Sequence, residues 1–185
     1  MQRMLLVVVI GVGLVLSPGA LTASTFLSAE FREVVSESAA VVRGRVTDVR
    51  SVRSAAGDVE SVVTIGVDAV LKGSADAFVS MRVPGGVMGR YRTVMTGAPV
   101  MRVGQQAVFF LRRAPGNAFW PVGLSQGIYR VTSSSTGAVT VASPVLAGVT
   151  TNATGAVVRG DVRRKALPLG EFESLVRLVV AGGAR

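Results

Sequence analysis

Cysteine and histidine are both absent from the 185 residues. Without thiols the chain forms no disulfide and no zinc–thiolate site. Without imidazole it lacks the commonest general base and any Ser-His triad. Lysine is scarce: Lys72 and Lys165 are the only two among 20 basic residues, so the rest are arginine. Aromatic residues make up 5% of the chain, with Trp120 the sole tryptophan. That is little material for the stacking platforms that hold single-stranded nucleic acid. The 11 acidic residues are dispersed and show no paired spacing for hydrolytic chemistry. Long apolar runs are missing too. The longest, Met4 to Leu16, falls short of the roughly 20 residues a membrane-crossing helix takes.

That short run has a context. Arg3 precedes it, Ser17-Pro18-Gly19 breaks it, and small residues continue to Ser24. A positive start, an apolar stretch and a small-residue end are the layout of a secretory signal peptide. The expectation is a signal at residues 1–23, cut after Ala23, and a secreted, periplasmic or otherwise extracytoplasmic protein at residues 24–185. No stable membrane span is expected after cleavage.

The remaining chain is rich in valine, alanine and glycine and carries a formal net charge of +9. Such charge attracts polyanions. The arginines are scattered rather than gathered, which is the pattern of a compositional bias.

Periodicity organises the chain. Leu27, Phe31, Val34 and Val35 share one face of a helix over Thr25–Ser38, with Ser28 as its N-cap. Two strands follow, over Ala40–Val52 and Val59–Leu71, with Gly44 placed for a bend or bulge and Ala55–Asp58 for a turn. A third strand over Ala77–Val83 stops at Pro84-Gly85-Gly86. Val87–Val103 is irregular. Ala107–Arg112 is a compact apolar strand, Phe119–Leu124, Ile128–Thr132 and Ala138–Ala142 are shorter ones, and Thr150–Arg164 reads as a surface segment. Leu169, Phe172, Leu175, Val176 and Val179 mark a final helix. Helix, six or so short strands and helix form one mainly β domain, a barrel or a sandwich.

Gly123-Leu124-Ser125-Gln126-Gly127 fits G-x-S-x-G, the frame of a hydrolase nucleophile. That motif needs a helix after its serine, and Ile128-Tyr129-Arg130-Val131 is strand-like. It also needs a base, and no S-x-x-K pattern includes either lysine. The reading is therefore a tight corner or bulge within a strand, with Ser125 and Gln126 bonding local backbone. No catalytic residue, cofactor or metal site is expected. Asp48, Asp58, Glu60, Asp68 and Asp76 are read as solvated acids rather than a calcium site. Arg159-Gly160-Asp161 and the sequon Asn152-Ala153-Thr154 mark exposed loop. Trp120 is read as a core residue.

SESAAVVRGRVTDV, VTIGVDAVLKG and VGQQAVFFL together resemble netrin-like domains and tissue inhibitors of metalloproteinases. The resemblance implies an OB-like β-barrel flanked by an N-terminal and a C-terminal helix. The inhibitors chelate the protease zinc through an N-terminal cysteine, so that mechanism does not transfer to a cysteine-free chain. The P-G-G, G-A-P and G-L-x-Q-G stretches are similar to small exported bacterial proteins of unassigned function. Some relatives of that type sit beside or within secreted metalloproteases.

The expectation is an exported, non-enzymatic binding module whose partner is a protein, for example a secreted protease. The alternative is a basic barrel that binds an anionic polymer, either envelope polysaccharide or nucleic acid. The Pro84–Pro99 segment, with Arg90, Tyr91 and Arg92, is the expected partner-binding loop, because loops on rigid scaffolds tend to carry function.

Overall fold

A computed structural model describes residues 29–144, 149–151, 157–159 and 166–183. The signal segment 1–23 therefore lies outside the described residues, as do Leu27, Ser28, the sequon, Gly160, Asp161 and Lys165. Among the described residues no helix is long and apolar enough to cross a membrane.

The chain is mainly β with one helix at each end of the described part. Helix α1 spans Phe31–Glu37. It is shorter than the periodicity predicts, with Glu30 at its N-cap. The Glu30 backbone N–H donates to Glu33 Oε2 at 3.4 Å, so an acid sits over the positive helix end. At the other end, Lys72 Nζ donates to the carbonyls of Val35 (2.7 Å) and Ser36 (3.1 Å).

Strands β1 (Ala40–Arg53) and β2 (Val59–Lys72) form a long antiparallel hairpin. Its register slips between Arg43 and Gly44. A Cβ on Gly44 would collide with the Gly66 carbonyl, so glycine is required there by close approach. Strand β3 (Phe78–Pro84) pairs with β2. The stretch expected to be irregular holds a small hairpin, β4 (Gly86–Met88) with β5 (Tyr91–Thr93). Strands β6 (Gln106–Ala114) and β7 (Ala118–Pro121) follow, then a 3-10 turn at Leu124–Gly127. The chain continues through β8 (Ile128–Ser133) and β9 (Val139–Ala142). A separate pair, β10 (Val149–Thr151) with β11 (Val157–Arg159), overlaps the expected surface segment. Strand β12 (Leu167–Pro168) leads into helix α2 (Leu169–Gly182).

Pairing runs β1–β2–β3–β7–β6 and returns to β1, a closed circuit of five strands. The parallel step from β3 to β7 is the shortest, at Met81 and Phe119. From β6 the sheet also extends through β8 and β9 to β12.

Two cores share the β1–β6 wall. Val42, Val46, Ala107, Phe109 and Leu111 face one core, together with Ile65 and Met81. Val41, Val108 and Phe110 face the other, where α1 and α2 bring Val34, Val35, Phe172 and Val176. Adjacent strand residues point to opposite faces, so an unbroken run such as Ala107–Leu111 feeds both. Phe31, Phe110, Tyr129 and Phe172 meet at ring separations of 5.0–6.4 Å, mostly edge to face. Arg43 on β1 reaches Glu173 on α2 (Nε–Oε1 3.0 Å), which fixes the helix along the strand.

Trp120 corrects an expectation. Phe119 is buried, and Trp120, one residue on, turns outward. It is only half-buried, and the Arg112 guanidinium lies 4.6 Å from its ring centroid. A cation–π contact, not the core, holds the indole.

Candidate partner-binding site

Between β3 and β6 the chain leaves the sheet after Pro84 and forms a strap that runs to Val103. Its root is fixed by two serines of the β1–β2 hairpin. Ser61 Oγ donates to the Gly85 carbonyl (2.8 Å), and Ser51 Oγ accepts from the Val87 N–H (2.9 Å). The Gly85 N–H also donates to the Val59 carbonyl at 2.9 Å. Gly85 has φ +90°, and a Cβ on Gly86 would lie 2.6 Å from Ser51 Oγ. The Pro84-Gly85-Gly86 signal is thus a tight root as well as a strand stop.

The predicted trio sits on the small hairpin. Arg90 Nη2 donates to Tyr91 Oη at 2.8 Å, and its guanidinium carbon lies 5.0 Å from the ring centroid. Arg92 parts from this pair and lines a cavity of about 450 Å³ under the strap. The structure therefore brings Arg90 and Tyr91 together and places Arg92 elsewhere. All three are exposed.

The cavity walls are mainly apolar: Val49, Val83, Val94, Met95, Val100 and Met101 line it, with Ser51 and Ser61 at the root. Six of the ten exposed large hydrophobic side chains among the described residues lie between Val87 and Val103. They are Val87, Tyr91, Val94, Met95, Val100 and Val103, and Val94 is 72% exposed. Apolar concentration of this kind marks interaction surfaces more often than single scattered residues do. Sequence reasoning chose the polar trio and passed over Val94, Met95 and Val100. The available signal was an apolar set, bracketed by Gly and Pro, that fits neither helical nor strand periodicity.

The far end of the strap is also tied down. The Gly97 carbonyl accepts from the Ser125 N–H at 3.1 Å. Ser125 belongs to the Gly123–Gly127 stretch, and here the structure corrects the sequence reading. The stretch is a 3-10 turn between two strands, not a corner inside one. Gly123 (φ +56°) and Leu124 (φ +58°) are both left-handed, which ends β7 at Pro121. Gln126 reaches well beyond local backbone. Its Oε1 accepts from the Ala29 N–H, 97 residues away in sequence, at 2.7 Å. Gly127 has no room for a side chain, since a Cβ would run into the Val122 carbonyl.

Lys72 is engaged at the end of α1, where partial burial lowers its ammonium below the ordinary value of 10.5. Among the described residues no group of three or more acidic side chains comes together to hold a metal ion. Comparison of the chain with protein-family models, with curated proteins and with solved structures finds no match.

Proposed function

We propose that the protein is an exported binding module without catalytic activity of its own. Its scaffold is an OB-like barrel with flanking helices, and its partner is a protein that docks on the strap between Pro84 and Val103. The closed five-strand pairing circuit supports the barrel reading. Export rests on the signal pattern at residues 1–23. The resemblance to netrin-like domains makes a secreted protease a reasonable partner class.

One observation carries the binding reading. Exposed apolar side chains are concentrated on a segment whose backbone is rigidly rooted. A flexible loop would lose ordering entropy on binding, and a rooted one has already lost it. An apolar set held in water at a fixed position is what a protein partner buries.

The test is affinity capture by the tagged mature chain from native envelope and culture supernatant, read by mass spectrometry. A Val94→Ser/Val100→Ser variant and an Arg90→Ala/Tyr91→Ala/Arg92→Ala variant run in parallel. A specific protein captured by the wild type and lost by the apolar variant supports the reading. Capture of the same proteins by all three chains rejects it. Recovery of an anionic polymer alone, eluted by salt, would replace it with the basic-surface alternative, because phosphate or polysaccharide binding by arginine weakens with salt.

A further inference from the structure

A second cavity, of about 340 Å³, lies on the other side of the strap. The strap's Ala98, Pro99, Val100 and Met101 wall both cavities. The second one differs in chemistry. Arg102 and Arg130 both line it, with Gln105, Ser125 and Ser143. No carboxylate lines it among the described residues. Neither guanidinium has an ion pair or hydrogen bond among those residues, whereas Arg43 and Arg82 are each paired with a glutamate. Gln105 Oε1 already accepts from the Arg102 backbone N–H (3.3 Å), which leaves its amide hydrogens as donors. Two like charges facing one cavity without a counter-ion raise the local positive potential, on a chain whose net charge is +9.

The backbone beside this cavity is strained. Leu124 holds a left-handed φ of +58°, a conformation that costs a non-glycine residue about 1 kcal/mol. That turn sets Ser125 against the strap and onto the cavity wall.

We infer that the Arg102–Arg130 cleft binds a carboxylate of an acidic polypeptide segment, whose neighbouring apolar side chain enters the 450 Å³ cavity across the strap. The inference rests on the protein-binding reading and names the partner's chemistry. Charge complementarity selects the acidic group, and the shared wall selects a ligand with an acidic and an apolar part on one chain. Ser125 serves as a hydrogen-bond donor to the carboxylate, which gives the G-x-S-x-G serine a binding role.

The full ¹⁵N-labelled chain is titrated with a capped peptide of alternating Glu and Leu, the same peptide with Gln in place of Glu, and inorganic phosphate. Saturable amide shifts at Arg102, Gln105, Ser125 and Arg130 are expected with the Glu peptide. The Gln peptide and an Arg102→Gln/Arg130→Gln variant should each bind about tenfold more weakly, since exposed ion pairs are individually modest. Equal binding of the Glu and Gln peptides overturns the inference. So does phosphate binding as tightly as the Glu peptide, which would make the cleft a site for a free or polymer-borne small anion. So does the absence of any shift. The two peptides are compared on the wild-type chain, so a misfolded variant does not spoil the test. Envelope capture lost with Val94→Ser/Val100→Ser but kept with Arg102→Gln/Arg130→Gln would leave the binding module standing and remove the anion site.

Discussion

The β1–β6 wall and the strap use the same apolar side chains to opposite ends. In the wall, Val41, Val42, Val108, Phe109 and Phe110 are each completely buried, between two cores that approach from either face. In the strap, Val87, Val94 and Val100 are each at least 60% exposed, although their backbone is pinned by serine hydrogen bonds and a tight glycine root. Burial in the wall specifies the fold. Exposure on a fixed strap contributes little to the fold, since an apolar side chain left in water gains no burial free energy. That contrast separates residues that hold the molecule together from the exposed residues on which the proposed docking rests.

The sharpest way to break the contrast is at the wall. Phe110→Ala removes a fully buried ring that meets Phe31, Tyr129 and Phe172 at the junction of both helices with the sheet. Loss of transfer free energy plus the cavity left behind is expected to cost about 3–5 kcal/mol by denaturant unfolding. A loss below about 1 kcal/mol would mean that the helix-side core is not formed as described. Gly127→Ala tests the same region through the backbone. The three atoms nearest to the added Cβ are all main chain, the Val122 carbonyl oxygen, Val122 N at 3.0 Å and Phe110 O at 3.1 Å, and these cannot rotate away. The expected cost is about 3 kcal/mol, measured in the same way.

Much of the wall was legible in the sequence, and the reason is physical. Val59–Lys72 alternates because part of it has one wet face, and its limits were found within a residue. Ala107–Leu111 does not alternate because both of its faces are buried, yet its compactness still marks a strand. The strap was less legible. Strands of three residues, such as Gly86–Met88 and Tyr91–Thr93, are too short to show a period. The second cavity was invisible for another reason. Arg102, Ser125 and Arg130 share a wall only through long-range pairing of β6 with β8 and the Ser125–Gly97 hydrogen bond. No local pattern encodes that meeting. Leu124 misled most directly, since leucine gives no signal for a left-handed turn.

A smaller effect sharpens the contrast from the strap side. Val94→Ser/Val100→Ser replaces two side chains that are 72% and 68% exposed. Stability by denaturant unfolding should change by no more than about 0.5 kcal/mol for each substitution. On the proposed docking reading, partner binding should nevertheless fall, and that dissociation of the two properties is what the variant tests. If instead the double variant lost stability on the scale of Phe110→Ala, these valines would be holding the cavity closed as part of the core. The strap would then be structural, and the protein-docking surface would have to be sought elsewhere.

The last comparison concerns the contact that seats α1 on the wall. Lys72 donates to the Val35 and Ser36 carbonyls, and Lys72→Met should cost about 1 kcal/mol at neutral pH. The pH dependence is the finer test. Burial lowers the Lys72 ammonium from 10.5, so the folded chain gives up this proton before the unfolded chain does. Between the lowered value and 10.5 the unfolded state binds more protons, and stability from this group rises with pH. The advantage is complete above 10.5 and is lost as pH falls through the folded value. The wild type should therefore gain on Lys72→Met as pH approaches 10.5 from below, in paired denaturant titrations. A gap that narrows over that range would mean that the two carbonyls favour the ammonium more than burial opposes it. The lysine would then act as a charged cap on the negative end of α1 rather than as a partly desolvated strand terminus.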